Sequence, residues 1–157
     1  MTAQANTIID ALVTAIAADH SAGTGTYDLS GAGLVDEGVS MDPPVDAIAV
    51  VRLMFPDFPP VVDHVDLDTY HRSMSLQVML WAKSANTAAA RRAAILELYH
   101  DVTAAIETAV RGATLNGTCT DVTCTGPTVD GDEQDLAPGY GTAVFDATVF
   151  YPASRGI

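Results

Sequence analysis

Basic residues are what this sequence has least of. Seven lysines and arginines stand against 20 acids, Lys83 is the only lysine, and the formal net charge is −13. A surface of that sign repels phosphate backbones, which excludes ordinary duplex binding through a broad basic patch. Aromatics are also scarce, at 6%, so the core has to be built from Val, Ile, Leu, Ala and Met. Only two cysteines are present, Cys119 and Cys124. A single CxxxxC pair with no second pair and no histidine nearby does not make a zinc site, and a cytosolic chain keeps its thiols reduced. Buried free thiols are therefore expected, although a turn at 120–123 would let the two sulfurs face each other.

Long apolar runs are missing as well. The opening MTAQANTIIDALVTAIAADH has no basic leader region, and Asp10 interrupts an apolar stretch far shorter than the ~20 residues a membrane span requires. No membrane association and synthesis in the cytosol are the expectations. The glycine-rich GTGTYDLSGAG lacks the Lys-Ser/Thr ending of a phosphate-binding loop, and no serine sits in a GxSxG elbow. Neither catalysis nor a bound cofactor is signalled.

The densest collection of possible metal ligands is Asp63, His64, Asp66, Asp68 and His71. The atoms suit a cation, but the spacing does not. On a strand His64, Asp66 and Asp68 take one face, Asp63 and His71 the other, and no paired HxxxH or EF-hand glycine follows. A solvated strand face is the expectation, with no metal.

What the sequence does have is a clear order of periodicities. Ile8, Ile9, Leu12, Val13 and Ile16 fall at helical spacing and predict an amphipathic helix over about 3–19. A stretch rich in Gly, Asp and Ser covers about 20–46, and its glycines at 23, 25, 31, 33 and 38 argue against a regular element there. Ala47 to Phe55 reads as an apolar strand stopped by Pro56, Pro59 and Pro60.

VVDHVDLDTYHR and then SMSLQVMLWA are extended, as one long strand bent near Tyr70 or as two strands of a hairpin. In the second run Met74, Leu76, Val78 and Leu80 alternate with Ser73, Ser75, Gln77, Met79 and Trp81. From Thr87 the period becomes helical, with Ile95, Leu98, Tyr99, Val102, Ile106 and Ala109 or Val110 on one stripe, Asn86 as N-cap and Gly112 as stop. Strand-like composition returns over 114–125, an acidic loop covers about 126–140, and TAVFDATVFY at 142–151 closes the chain.

These elements form one domain over 1–157, large enough to bury ~two-thirds of its unfolded surface. The fold class expected is α+β, a mixed and mostly antiparallel sheet of four to five strands with two helices packed on one face.

In layout and length the chain resembles the tail terminator proteins of long-tailed bacteriophages. The likeness lies in the short N-terminal helix, the early apolar strand, the long alternating strand ending in LQVMLWAKS, the docked helix TAAARRAAILELYHDVTAAIE and the late strand. It extends over nearly the whole chain and contains no diagnostic motif. The resemblance implies a structural virion protein, not an enzyme, without cofactor or metal, assembled in the host cytoplasm. It implies a hexameric ring on top of the tail tube that stops polymerisation and meets the head-closure or connector protein. Genomic DNA would pass through the lumen without specific binding. Other head-tail neck or tail-tube proteins have similar size and composition, and a small acidic metal- or ligand-binding module is a further alternative.

Within such a ring the rare cations acquire a use. Arg91 and Arg92 flank the buried stripe of the second helix and are expected, with Arg52, at a subunit or partner interface, where they would meet carboxylates and offset repulsion between acidic copies.

Overall fold

The computed structural model describes residues 3–18, 27–31, 33–38, 47–54, 62–64, 69–85, 87–112, 115, 118–130 and 140–154. Two helices, α1 (Ala3–Ala18) and α2 (Ala88–Arg111), accompany seven strand segments: β1 (Val35–Glu37), β2 (Ala49–Met54), β3 (Val62–His64), β4 (Thr69–Lys83), β5 (Asp121–Cys124), β6 (Thr128–Asp130) and β7 (Tyr140–Ser154).

The segments fill five lanes of one sheet, in the order β1, β2, β4, β7, β5. Lane two holds β2 and then β3, both antiparallel to β4. Lane five holds β5 and then β6, both antiparallel to β7. Between Cys124↔Ala147 and Thr128↔Val144 the outer lane advances four positions against three on β7, one residue more than its partner, as in a β-bulge. Among the described strands only β1 runs parallel to its neighbour, so the sheet is mixed and mostly antiparallel, in the α+β class.

The spine is the pair β4 and β7, each 15 residues long and in register from Thr69↔Ser154 to Lys83↔Tyr140. Alternation decides which side chains meet the helices. Met74, Leu76, Val78, Leu80 and Ala82 of β4 lie beside Val149, Ala147, Phe145 and Ala143 of β7, all buried in one core. Ile8, Ile9, Leu12 and Ile16 of α1 and Ile95, Leu98, Val102 and Ile106 of α2 complete it. Each such aliphatic side chain contributes on the order of 1.5–3 kcal/mol by leaving water.

The ends of α2 are defined by its own residues. Thr87, extended at φ −122 and ψ 151, accepts the N–H of Ala90 at 3.2 Å and is the N-cap. The cap therefore falls one residue later than expected, and Asn86 lies outside the described residues. Gly112 ends the helix, its N–H bonded to the carbonyl of Thr108 at 2.8 Å. A Cβ there would meet that same oxygen at 2.5 Å, so the stop requires glycine for want of space, its backbone being extended and not left-handed.

Two expectations are corrected. The glycine-rich stretch contains β1, bracketed by Gly33 (φ 78) and Gly38 (φ 125), so these glycines bend the chain into and out of a strand rather than exclude one. The acidic stretch at 126–140 contains β6. Over 62–83 the described residues form β3 and β4, paired antiparallel, and among the described residues of 114–125 the strand is β5.

Candidate interface surfaces

The three arginines expected at an interface occupy different environments. Arg52 lies on β2 and is 7% exposed. Its guanidinium donates to the carbonyls of Val51 at 3.1 Å and Leu34 at 3.3 Å, so it serves to tie the segment before β1 to β2. A buried guanidinium left without acceptors would be costly, and these carbonyls supply them. Asp36 is the register partner of Arg52, but its carboxylate accepts the N–H of Glu37 at 2.8 Å. Arg52 is thus largely enclosed among the described residues.

Arg91 is half-buried and Arg92 exposed. The reason is local: a Cβ on Gly141 would lie 2.8 Å from the carbonyl oxygen of Arg91 and 3.3 Å from its Cα. At this point α2 rests directly on β7, and glycine is the residue that allows the approach. Arg92, one step around the helix, turns outward.

The same end of the molecule gathers other exposed groups. Lys83, the last residue of β4, pairs with Tyr140 and donates its N–H to the carbonyl of Ile48 at 2.8 Å. Lys83 is exposed, and Ile48 is 57% exposed, more than any other large hydrophobic side chain described. At the far end of α2, Arg111 has acidic company, lying 3.5 Å from Asp121 and 3.8 Å from Glu107. Among the described residues neither Lys83 nor Arg92 makes an ion pair.

The face of the sheet away from the helices has two halves. Towards the Lys83 end, Val50, Trp81, Tyr140 and Ala47 form a second small core with Leu34 and Met79 against it, and the Tyr140 hydroxyl donates to the carbonyl of Ala47 at 2.6 Å. Trp81 shares the parity of Ser73, Ser75 and Gln77 yet is only 5% exposed. Towards the other end the face is polar, with Ser75, Gln77, Asp146 and Thr123 exposed and the Ser75 and Thr148 hydroxyls 3.0 Å apart.

One buried carboxylate escaped the sequence reading. Asp101 of α2 is 7% exposed, and its Oδ2 accepts the backbone N–H of Tyr27 at 2.9 Å. The Tyr27 hydroxyl donates to the carbonyl of Ala94 one helical stretch earlier, at 3.2 Å. Together these bonds pin the segment leading to β1 against α2. A signal was present: Asp101 follows Leu98 by three and precedes Ala105 by four, an acid on an apolar stripe.

Possible ligand chemistry is sparse. Asp63 and His71 are register partners on β3 and β4, while Asp66 and Asp68 lie outside the described residues. Among the described residues no group of three or more His, Cys, Asp or Glu could hold a metal. Cys119 and Cys124 are free thiols, the first buried and the second half-buried. Burial pushes each up to about 11, and at Cys124 the nearby Glu107 adds to that while Arg111 opposes it. Such thiols are poor nucleophiles near neutral pH. No helix among the described residues is long and apolar enough to cross a membrane. Comparison with protein-family models and with curated proteins finds no match to this chain.

Proposed function

We propose that this chain is a structural subunit of a long-tailed phage virion, a tail terminator that forms a ring on the finished tail tube, stops its polymerisation and joins it to the head connector. The observation that carries the reading is the order and proportion of the elements. A short helix precedes an apolar strand, two paired 15-residue strands form the spine, and one long helix docks on them. This is the layout on which the resemblance rests.

The charge supports the same reading physically. A ring through which DNA passes must not hold it, and subunits of net charge −13 repel phosphates. Its partners would be further copies of itself, six most simply, the tube protein below and the head-closure protein above. No catalytic step is required of any residue.

The test is functional. Tail tube protein is polymerised with and without the purified chain, and tubes are examined by electron microscopy. Growth arrested with a ring at one tube end is the expected result. Tubes that continue to elongate while the chain stays in solution would overturn the assignment, and incorporation along the tube would point to a tube protein instead.

A further inference from the structure

We propose that Asp36 and Asp121 guard the two edges of the sheet. Each carboxylate takes up the outward N–H that follows it and so keeps a second copy of this chain from adding a strand there. The guard operates whether or not copies form a ring, since it concerns where they do not join.

Among the described strands β1 and β5 end the sheet, each paired on one side only. Asp36, Glu37, Asp121 and Thr123 are exposed, so both edges reach solvent. An edge strand in solvent turns alternate backbone groups outward, a template for any strand that comes alongside.

The parity of the backbone bonds identifies those groups. At β1, the Leu34 carbonyl accepts from Val51 and the Gly38 N–H donates to Leu53, so the backbone groups of 34, 36 and 38 turn towards β2. Those of Val35 and Glu37 turn outward. At β5, Thr125 donates its N–H to the carbonyl of Asp146 on β7, so Asp121 and Thr123 turn inward with it. Val122 and Cys124 turn outward.

Both aspartates act on these outward donors. Asp36 Oδ1 accepts the N–H of Glu37 at 2.8 Å, and Asp121 Oδ1 accepts the N–H of Val122 at 2.8 Å. At opposite edges of one sheet, the same residue type makes the same contact with the next N–H, a local bond that competes with strand pairing. An approaching strand finds the donor taken and a carboxylate beside it. Arg111 holds the second guard in place, its Nη2 lying 3.5 Å from the same Oδ1 of Asp121.

Charge and length reinforce the block. Joining β1 of one copy to β5 of another would bring Asp36 and Glu37 towards Asp121, and like charges across paired strands destabilise. The two strands are only three and four residues long, which shortens the template.

The experiment compares four full-length proteins by sedimentation velocity over a range of concentrations: wild type, Asp36→Ala/Asp121→Ala, Asp36→Asn/Asp121→Asn, and Asp10→Ala/Asp146→Ala. The last removes the same charge from exposed positions on α1 and β7, neither of them an edge strand. Circular dichroism reports folding, and each single alanine substitution, read at its own edge, serves if the double variant is unfolded. In dilute protein the Glu37 and Val122 amides should exchange roughly 3- to 10-fold faster in the alanine variant, the worth of one hydrogen bond. With two donors freed, that variant should also associate ~10-fold more strongly than wild type. The Asp10/Asp146 control should stay within about threefold of wild type. The asparagine variant keeps an acceptor oxygen and should lie closer to wild type than to the alanine variant.

An alanine variant that associates no more than the control would overturn the guard. So would an asparagine variant that associates as strongly as the alanine one, since charge alone would then be responsible. Wild-type copies already joined at these edges, seen as exchange at Val122 and Cys124 slowing with concentration, would overturn it as well. Each of these results leaves the ring reading standing, and wild-type monomers at every concentration overturn that reading without touching this one.

Discussion

Asp101 holds the backbone N–H of Tyr27 at 2.9 Å, joining residues 74 positions apart in sequence. The bond explains how the segment before β1 reaches the sheet. The carboxylate sits on the buried stripe of α2 and so fixes one point of the incoming chain, and the Tyr27 hydroxyl on Ala94 fixes a second. Past Gly33 the chain enters β1 along β2, where Val51 donates its N–H to Leu34 at 2.8 Å and Arg52 adds its guanidinium.

Asp101→Ala should therefore cost ~1–3 kcal/mol, because a buried backbone donor loses its acceptor. Urea unfolding measures the loss. Asp101→Asn keeps an acceptor oxygen and should cost less than the alanine variant. In both, the Tyr27 amide should exchange faster with solvent than in the wild type.

Gly141→Ala should destabilise by ~1–3 kcal/mol, since its Cβ would lie 2.8 Å from the Arg91 carbonyl oxygen and backbone has to move. Gly126→Ala is the matched control. Nothing lies within 4 Å of a Cβ there, and the substitution should be neutral or stabilising by ~0.4–1 kcal/mol through the unfolded chain. Thermal unfolding of the two variants side by side checks the contrast.

The thiols make stability depend on alkaline pH. Burial lifts Cys119 and Cys124 from 9.0 to about 11, so between those values the unfolded chain gives up thiol protons that the folded chain keeps. Their contribution is fully present below pH 9 and is lost as pH rises through 11. Tyr27 and Tyr99, raised from 10.0 first of all by burial, steepen the fall above pH 10. Urea unfolding from pH 8 to 11 should show this decline, and Cys119→Ala/Cys124→Ala should flatten its lower part. Native protein at pH 7.5 should react slowly with a thiol reagent and quickly once unfolded.

The parts legible in the sequence are those governed by one strong periodicity. The stripe from Ile95 to Val110 located α2, and the alternation from Met74 to Leu80 located the core face of β4. Glycine misled at β1, because Gly33 and Gly38 supply left-handed turns at the ends of a strand only three residues long. That strand is defined by its pairing with β2, a partner distant in sequence that no local pattern announces. By parity Trp81 falls on the face of Ser73, Ser75 and Gln77, and packing with Val50 and Tyr140 buries it there.

The arginines were only partly legible. Composition made them conspicuous, but whether a cation is buried or presented depends on the neighbouring layer. Arg52 is enclosed by its own backbone, Arg91 is held where α2 meets Gly141, and Arg92 is left facing outward. Composition marks Lys83 as the only lysine, but strand pairing is what places it beside Ile48, which no local pattern announces.

Self-assembly is the property on which the proposed function depends, and native mass spectrometry of the purified full chain tests it most directly. Closed oligomers, six copies most simply, should appear as concentration rises or when tail tube protein is added. Monomers at every concentration, with tube protein present and the chain folded, would contradict the ring.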